Sequence, residues 1–102
     1  MELMTQELEA MFPALYSNES RDSKDVKVIA KFFDPCGSWT WYATEYDPKE
    51  RLFFGLVRGF ENELGYFSLD ELKSVKGPLG LGIERDLHFR EHTLAEVMAM
   101  GV

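Results

Sequence analysis

The chain has 102 residues and a formal net charge of −7, with 18 acidic side chains against 11 basic ones. Apolar residues make up 45% of it and aromatic residues 14%, enough for a packed core, so general disorder is excluded. The acidic balance disfavours binding to nucleic acid or anionic membranes through a broad basic face. The lone cysteine, Cys36, excludes an internal disulfide. Because the sequence shows neither a signal-peptide pattern nor an apolar run of membrane-spanning length, we expect one cytoplasmic domain over residues 1–102.

The first predicted element is a short helix. Thr5 suits its N-cap, because the hydroxyl can accept a hydrogen bond from an open backbone N–H of the first turn. Apolar residues at positions 8, 11, 12 and 15 repeat with helical spacing, and Pro13 predicts that the helix ends near Phe12. The all-polar segment 17–25 predicts an exposed loop.

Four strand candidates joined by short turns come next. They cover residues 26–33, 39–46, 52–58 and 60–67. Alternation predicts one face for Val26, Val28, Ala30 and Phe32, and a shared face for Thr40, Tyr42, Thr44 and Tyr46, opposite Trp39, Trp41 and Ala43. Strands joined by tight turns must be antiparallel, because a parallel pair needs a long crossover.

Helix signals return near the end of the chain. Ser68–Glu71 and Thr93–Glu96 have the capping-box pattern, and Gly101 is placed to stop the second helix. Gly77–Gly82 predicts a constrained loop, and residues 83–89 an extended or irregular segment. The sequence therefore predicts an α+β fold. In it, short N-terminal and C-terminal helices pack on one face of a meander-like antiparallel sheet of about four strands.

The densest polar cluster contains Glu84, Arg85, Asp86 and His88. These side chains would form a general acid–base site if they lined one pocket. They would equally form a solvated set of surface ion pairs, the commoner arrangement for a charge-rich stretch. The sequence therefore leaves catalysis open and favours a protein that is not an enzyme.

Three further motifs are weaker. His88–His92 matches H-x-x-E-H, but it precedes the predicted helix and no third ligand is marked, so we expect no metal. Gly77–Gly82 lacks the Lys-Ser/Thr pair of a phosphate-binding loop, so we expect no cofactor. Cys36 is a turn cysteine with no base placed beside it by the sequence.

Candidate partner-binding residues fall into an acidic and an aromatic group. The first twenty residues contain no base, and their acids are Glu2, Glu7, Glu9 and Glu19. The aromatic group is Trp39, Trp41 and Tyr42, because exposed Trp and Tyr dominate protein interfaces.

Several long blocks of the sequence carry a family resemblance. They are Phe12–Tyr16, Lys31–Pro35, Ser38–Tyr42, Leu52–Val57, Leu64–Leu72, Gly77–Leu81 and Ile83–Phe89. In these blocks the chain resembles a small bacterial family classed only as a domain of unknown function, over about Leu3 to Leu94. The resemblance implies a protein carried by plasmids, phages and integrated elements, and it supplies no catalytic residue.

The interpretation we favour is a small acidic, non-enzymatic interaction module of a mobile genetic element. Its expected partner is a host or element-encoded protein, in particular a basic one that processes nucleic acid or acts in defence, as with anti-restriction or anti-CRISPR proteins. One alternative is a small enzyme or ligand-binding domain built on the polar cluster. Another is a weak single-stranded nucleic-acid accessory protein that uses Trp39, Trp41 and the Lys27/Lys31 strand face. Membrane association is not expected, and the oligomeric state stays open.

Overall fold

The computed structural model of the chain describes residues 1–100. Its seven strands are β1 (Lys27–Val28), β2 (Ala30–Phe33), β3 (Thr40–Asp47), β4 (Leu52–Arg58), β5 (Asn62–Ser68), β6 (Glu84–Arg85) and β7 (His92–Thr93). Five of them form an antiparallel sheet in the order β5–β4–β3–β2–β6, and β1 pairs with β7 in a second sheet. The α+β class and the meander of β2 to β5 are as predicted, and β6 adds a fifth strand beside β2.

The three α-helices in the described part of the chain are α1 (Gln6–Met11), α2 (Leu69–Ser74) and α3 (Leu94–Ala99). Single 3-10 turns lie at Ser23–Asp25 and Pro78–Gly80. None of the helices within residues 1–100 has the length and apolar content needed to cross a membrane.

The predicted N-caps Thr5, Ser68 and Thr93 each accept a hydrogen bond from a first-turn backbone N–H. At Thr93 the capping box is complete, because Glu96 also accepts the Thr93 N–H at 2.7 Å. At Ser68 only the serine half is present. The predicted stop at Gly101 lies outside the described residues.

Helices cover both faces of the main sheet, so the prediction that they share one face is wrong. The α1–α2 face carries Trp41, Ala43 and Tyr46, and the α3 face carries Tyr42 and Glu45. The first core, on the α1–α2 face, includes Leu3, Ala30, Phe32, Ala43, Tyr46, Phe53, Phe67, Leu69, Leu72 and Ile83, with Leu8 and Phe12 packed against it. The second core, on the α3 face, contains Val26, Val28, Tyr42, Leu56, Leu94 and Val97.

The predicted strand over residues 26–33 is interrupted at Ile29. Val28 pairs with His92 in the small sheet, whereas Ala30 pairs with Ala43 in the large one. Because the chain changes sheets at Ile29, Val28 enters the second core and Ala30 the first. The prediction of one common apolar face for this segment is therefore wrong.

A β-bulge in β3 changes which side chains face each side of the sheet. The register shifts between Ala43 and Glu45, so Thr44 is an extra residue. Tyr46 consequently lies in the first core, with its ring 4.6 Å from the ring of Phe53, and Glu45 turns to the α3 face. Simple alternation had placed Tyr46 on the face of Tyr42, which is wrong.

Candidate functional site

The α3 face contains a cleft of about 410 Å³. Its walls are the segment 16–21, the 3-10 turn at Ser23–Asp25 and α3. Its floor is formed by β3, β4 and β5. The lining residues are Tyr16, Asn18, Glu19, Arg21, Ser23, Val26, Thr44, Glu45, Phe54, Leu64, Tyr66, Leu94 and Met98. A concave, mostly apolar surface with a few convergent polar groups is the usual form of a binding site.

The carboxylate of Glu45 holds one wall of this cleft in place. The side chain is only 4% exposed, and its two oxygens accept the backbone N–H of Tyr16 at 2.8 Å and of Asn18 at 3.0 Å. No Lys or Arg nitrogen of residues 1–100 lies within 4.0 Å of it. Hydrogen bonds to a charged acceptor are the strong ones. Glu45 therefore fixes the segment 16–18 against β3.

Tyr16 has a backbone conformation that needs such support. Its φ is +72°, in the left-handed region that costs a non-glycine residue roughly 1–2 kcal/mol. Its ring meets the ring of Tyr66 edge-on, with 6.4 Å between centroids. Hydrogen bonding of the Tyr66 hydroxyl to Tyr16, and then burial, raise the pKa of the Tyr66 phenol above its usual value. The two tyrosines form an exposed pair at the cleft.

The cleft opens beside β5, which is an edge strand of the main sheet. Leu69 N–H donates to Arg51 O, and Gly59 N–H donates to Glu61 O. Arg51 opposite Leu69 and Gly59 opposite Glu61 continue the pairing register of β4 with β5. Hydrogen-bonded and non-hydrogen-bonded pairs alternate along an antiparallel ladder. The odd-numbered residues of β5 therefore direct their backbone N–H and C=O groups toward β4. Asn62, Leu64 and Tyr66 therefore direct their backbone N–H and C=O groups outward. Within residues 1–100 these outward groups have no hydrogen-bond partner.

A second groove, of about 340 Å³, lies on the α1–α2 face beside the same strand. Trp41, Val57 and Phe67 line it, and Trp39 stands at its end. The Trp39 ring lies 6.0 Å from that of Trp41 and 5.4 Å from that of Phe60. Phe60, in the turn between β4 and β5, is 95% exposed. Exposed aromatic residues thus flank β5 at its beginning as well as at the cleft.

Comparison with known proteins identifies the family. The chain belongs to DUF2958. The family model, described as "Protein of unknown function (DUF2958)", matches residues 3–100, which include the cleft, the groove and β5. The resemblance to a domain of unknown function is therefore confirmed. No curated protein and no solved structure matches the chain.

The four candidate catalytic residues of this DUF2958 chain do not share one pocket. Arg85 and Asp86 line a small cavity of about 170 Å³ next to Leu8 and Phe89. Asp86 pairs with Lys31 at 3.6 Å and accepts the backbone N–H of His88. His88 is exposed and lies outside that cavity, and Glu84 lines a different one. Arg85 Nε is buried and has no hydrogen-bond partner among residues 1–100.

Metal ligation and thiol chemistry find no structural support among residues 1–100. No three His, Cys, Asp or Glu side chains of this part gather as a metal-binding group. The exposed thiol of Cys36 lies 3.6 Å from the carbonyl oxygen of Pro78.

The acidic partner-binding candidates are divided between the two faces. Glu2, Glu7 and Glu9 are exposed at or near α1, which packs on the α1–α2 face. Glu19 lines the cleft on the α3 face. The four acids therefore do not form one patch.

The aromatic candidates also separate. Trp39 and Trp41 are half-buried beside the groove, where their ring surfaces remain partly open. Tyr42 is buried in the second core, with its ring 6.0 Å from Phe89. A partner would therefore reach the two tryptophans but not Tyr42.

Sequence reasoning missed Glu45, Phe60 and the role of β5. An acid inside an aromatic strand was the available signal for Glu45, since buried carboxylates are rare unless they are paired. Nothing in the pattern of residues 60–67 shows which strand of the sheet is its edge.

Proposed function

We propose that this chain is a non-enzymatic protein-interaction module that binds its partner along the β5 side of the molecule. The observation that carries the proposal is a run of large apolar side chains exposed there. They are Tyr16, Phe60, Leu64, Tyr66 and Met98, each about half exposed or more. Exposed apolar surface gathered around a cleft marks an interaction site more often than scattered single side chains do.

The charge of this side favours a basic partner. Glu19, Glu61 and Glu63 are exposed around it, and none of them forms an ion pair within residues 1–100. Arg21 is the basic residue at the cleft rim. With a net charge of −7, the chain attracts basic surfaces over a distance, which raises the rate and selectivity of association.

The partner class that suits this surface is a basic protein that processes nucleic acid or acts in host defence. The setting we propose is a mobile genetic element whose product modulates that protein, in the manner of anti-restriction or anti-CRISPR proteins. A DNA mimic is a poorer fit, because its carboxylates would have to lie along one surface, and here the acids are divided between faces. An acid–base enzyme is also a poorer fit, since His88 lies apart from Arg85 and from the large cleft.

A photo-crosslinking experiment tests the proposal. A benzophenone amino acid replaces Phe60 in one variant and Leu87 in the control variant, and each is irradiated in a lysate of the source cell. Leu87 is also exposed, but it follows β6 at the opposite edge of the sheet. We expect a basic protein to crosslink at position 60 and not at position 87.

Binding of the captured protein to the unmodified chain is then measured with Phe60→Ser. We expect at least tenfold weaker binding, because aromatic anchors carry about 2 kcal/mol or more at interfaces. Equal crosslinking at positions 60 and 87, or an acidic partner, would contradict the proposal.

A further inference from the structure

The geometry of β5 points to a specific mode of binding, and this inference rests on the proposed function. We propose that β5 accepts an extended, basic segment of the partner protein as an added strand of the main sheet. The segment would lie on the open side of β5, with its alternate side chains entering the cleft and the groove. Adding a strand to a sheet edge is a recognised way for a protein to bind an extended peptide.

The first support is the free hydrogen-bonding capacity of the edge. Asn62, Leu64 and Tyr66 direct their N–H and C=O groups away from β4. A segment laid beside them would satisfy these groups with main-chain hydrogen bonds. Affinity from the main chain does not depend on the sequence of the segment, so side-chain pockets must supply the specificity.

The second support is that β5 lacks the usual protection of an edge strand. Natural edges are shortened or carry Lys, Pro or bulges that prevent pairing. Asn62–Ser68 has seven residues, contains no Lys, Arg or Pro, and pairs with β4 without a register shift. Its one charged residue is Glu63, which would repel an acidic strand but attract a basic one. The opposite edge, β6, has only two residues. Of the two edges of the main sheet, β5 is thus the one open to pairing.

The third support is that recesses flank β5 on both faces of the sheet. On the α3 face, Leu64 and Tyr66 form part of the cleft of about 410 Å³. On the α1–α2 face, Val57 and Phe67 line the groove of about 340 Å³. At Gly65, an added Cβ would meet no atom of the described residues within 4 Å. Successive side chains of a strand point to opposite faces. An added strand would therefore find space for both sets of its side chains.

The charge at this edge selects a basic segment over a second copy of the chain. Glu61 and Glu63 lie at the beginning of β5 and are exposed without an ion-pair partner in the part of the chain that the structure describes. Two copies paired through β5 would bring together two chains that each carry a net charge of −7, whereas a basic segment would bring opposite charge to Glu61 and Glu63. Like charges directly opposite in a strand pair are destabilising, whereas opposite charges stabilise it.

These contacts predict a pattern for the bound segment. Two apolar side chains spaced two residues apart would pack beside Leu64 and Tyr66 on the α3 face. A Lys or Arg at an odd spacing from them would meet Glu63 on the other face. The side chain opposite Gly65 would be large, because it would occupy the groove beside Trp41.

Selection from a phage-displayed library of random twelve-residue peptides on the intact protein tests this inference. We expect the selected peptides to share the apolar–x–apolar pattern with an adjacent basic residue. Amide hydrogen exchange is then measured by NMR with and without the selected peptide. The outward amides of Leu64 and Tyr66 should exchange at least tenfold more slowly in the complex. Those of Glu63 and Gly65, already bonded to β4, should change little.

A matched pair of variants separates main-chain from side-chain binding. Leu64→Pro removes an outward N–H that β4 does not use, so an edge strand can accommodate it. Leu64→Ala keeps that N–H and removes the side chain. We expect Leu64→Pro to bind the selected peptide at least tenfold more weakly than Leu64→Ala. Retained protection of the Gly65 amide shows that Leu64→Pro still folds.

The remaining outcomes overturn the inference. Strand addition is wrong if no peptide is selected, if the peptide protects amides elsewhere, or if the two Leu64 variants bind equally. Protection of Leu64 and Tyr66 at high protein concentration without peptide would show that a second copy occupies the edge instead. If a basic protein still crosslinks at position 60 in any of these cases, the proposed function stands and only its strand-addition mode fails.

Discussion

The substitution Glu45→Gln tests how the cleft wall is held. Glu45 is almost completely buried and accepts the N–H groups of Tyr16 and Asn18 with separate oxygens. Glutamine keeps one oxygen acceptor but turns an NH2 group toward the second N–H. The change therefore removes one charge-assisted hydrogen bond and weakens the other, with almost no change in side-chain volume.

The expected loss in the free energy of unfolding is about 2 kcal/mol, since hydrogen bonds to charged groups contribute roughly 1.5–3 kcal/mol each. If the segment 16–18 leaves β3, the Tyr16 backbone can relax from its positive φ. This relaxation would offset at most about 1–2 kcal/mol of the loss. A loss of 2 kcal/mol corresponds to a fall in Tm of roughly 8–16 °C for a domain of this size.

Urea unfolding of the wild type, Glu45→Gln and the control Glu50→Gln measures this loss. Glu50 is exposed in the turn after β3, and its substitution should change stability by less than about 0.5 kcal/mol. Amide exchange should show the N–H of Tyr16 or Asn18 losing protection in Glu45→Gln alone. If Glu45→Gln unfolds within 0.5 kcal/mol of wild type with both amides still protected, the carboxylate does not hold the segment and the reasoning fails.

Two further predictions concern the neighbouring strands. The raised pKa of Tyr66 means that its phenolate forms at higher pH than that of an ordinary tyrosine. Tyr16→Phe removes the hydrogen bond that is the main cause of this rise. A spectrophotometric pH titration of the variant should therefore show the Tyr66 pKa moving down toward 10. Gly55→Ala should lower the free energy of unfolding by about 3 kcal/mol or more, because its Cβ would lie 1.8 Å from the carbonyl oxygen of Tyr42 and the strands must separate. Gly65→Ala on the adjacent strand, where the Cβ meets nothing, should change stability by less than about 0.5 kcal/mol in the same urea experiment.

The local signals in the sequence predicted the local structure well. The N-caps at Thr5, Ser68 and Thr93 are confirmed, because a hydroxyl before an apolar helical repeat acts on its own first turn. The strand predicted over 52–58 has the observed bounds, since its apolar run is flanked by clear turns. These features depend only on residues a few positions apart.

Features that depend on distant residues were not predictable from the sequence. The switch at Ile29 arises because β7, more than sixty residues further along the chain, pairs with β1. The fifth strand of the main sheet exists because Arg85 returns to pair with Phe32. Short two-residue strands carry no pattern of their own, and their partners decide that they form.

The bulge in β3 is a local feature that determines long-range contacts, and it accounts for the candidate site. Without the bulge, strict alternation through Ala43, Thr44 and Glu45 would turn Glu45 toward the apolar first core, away from the N–H groups of Tyr16 and Asn18. With it, the carboxylate faces the α3 side and meets the N–H groups of Tyr16 and Asn18. The segment it holds brings the Tyr16 ring to Tyr66 on β5 and so forms the wall of the cleft beside the open edge.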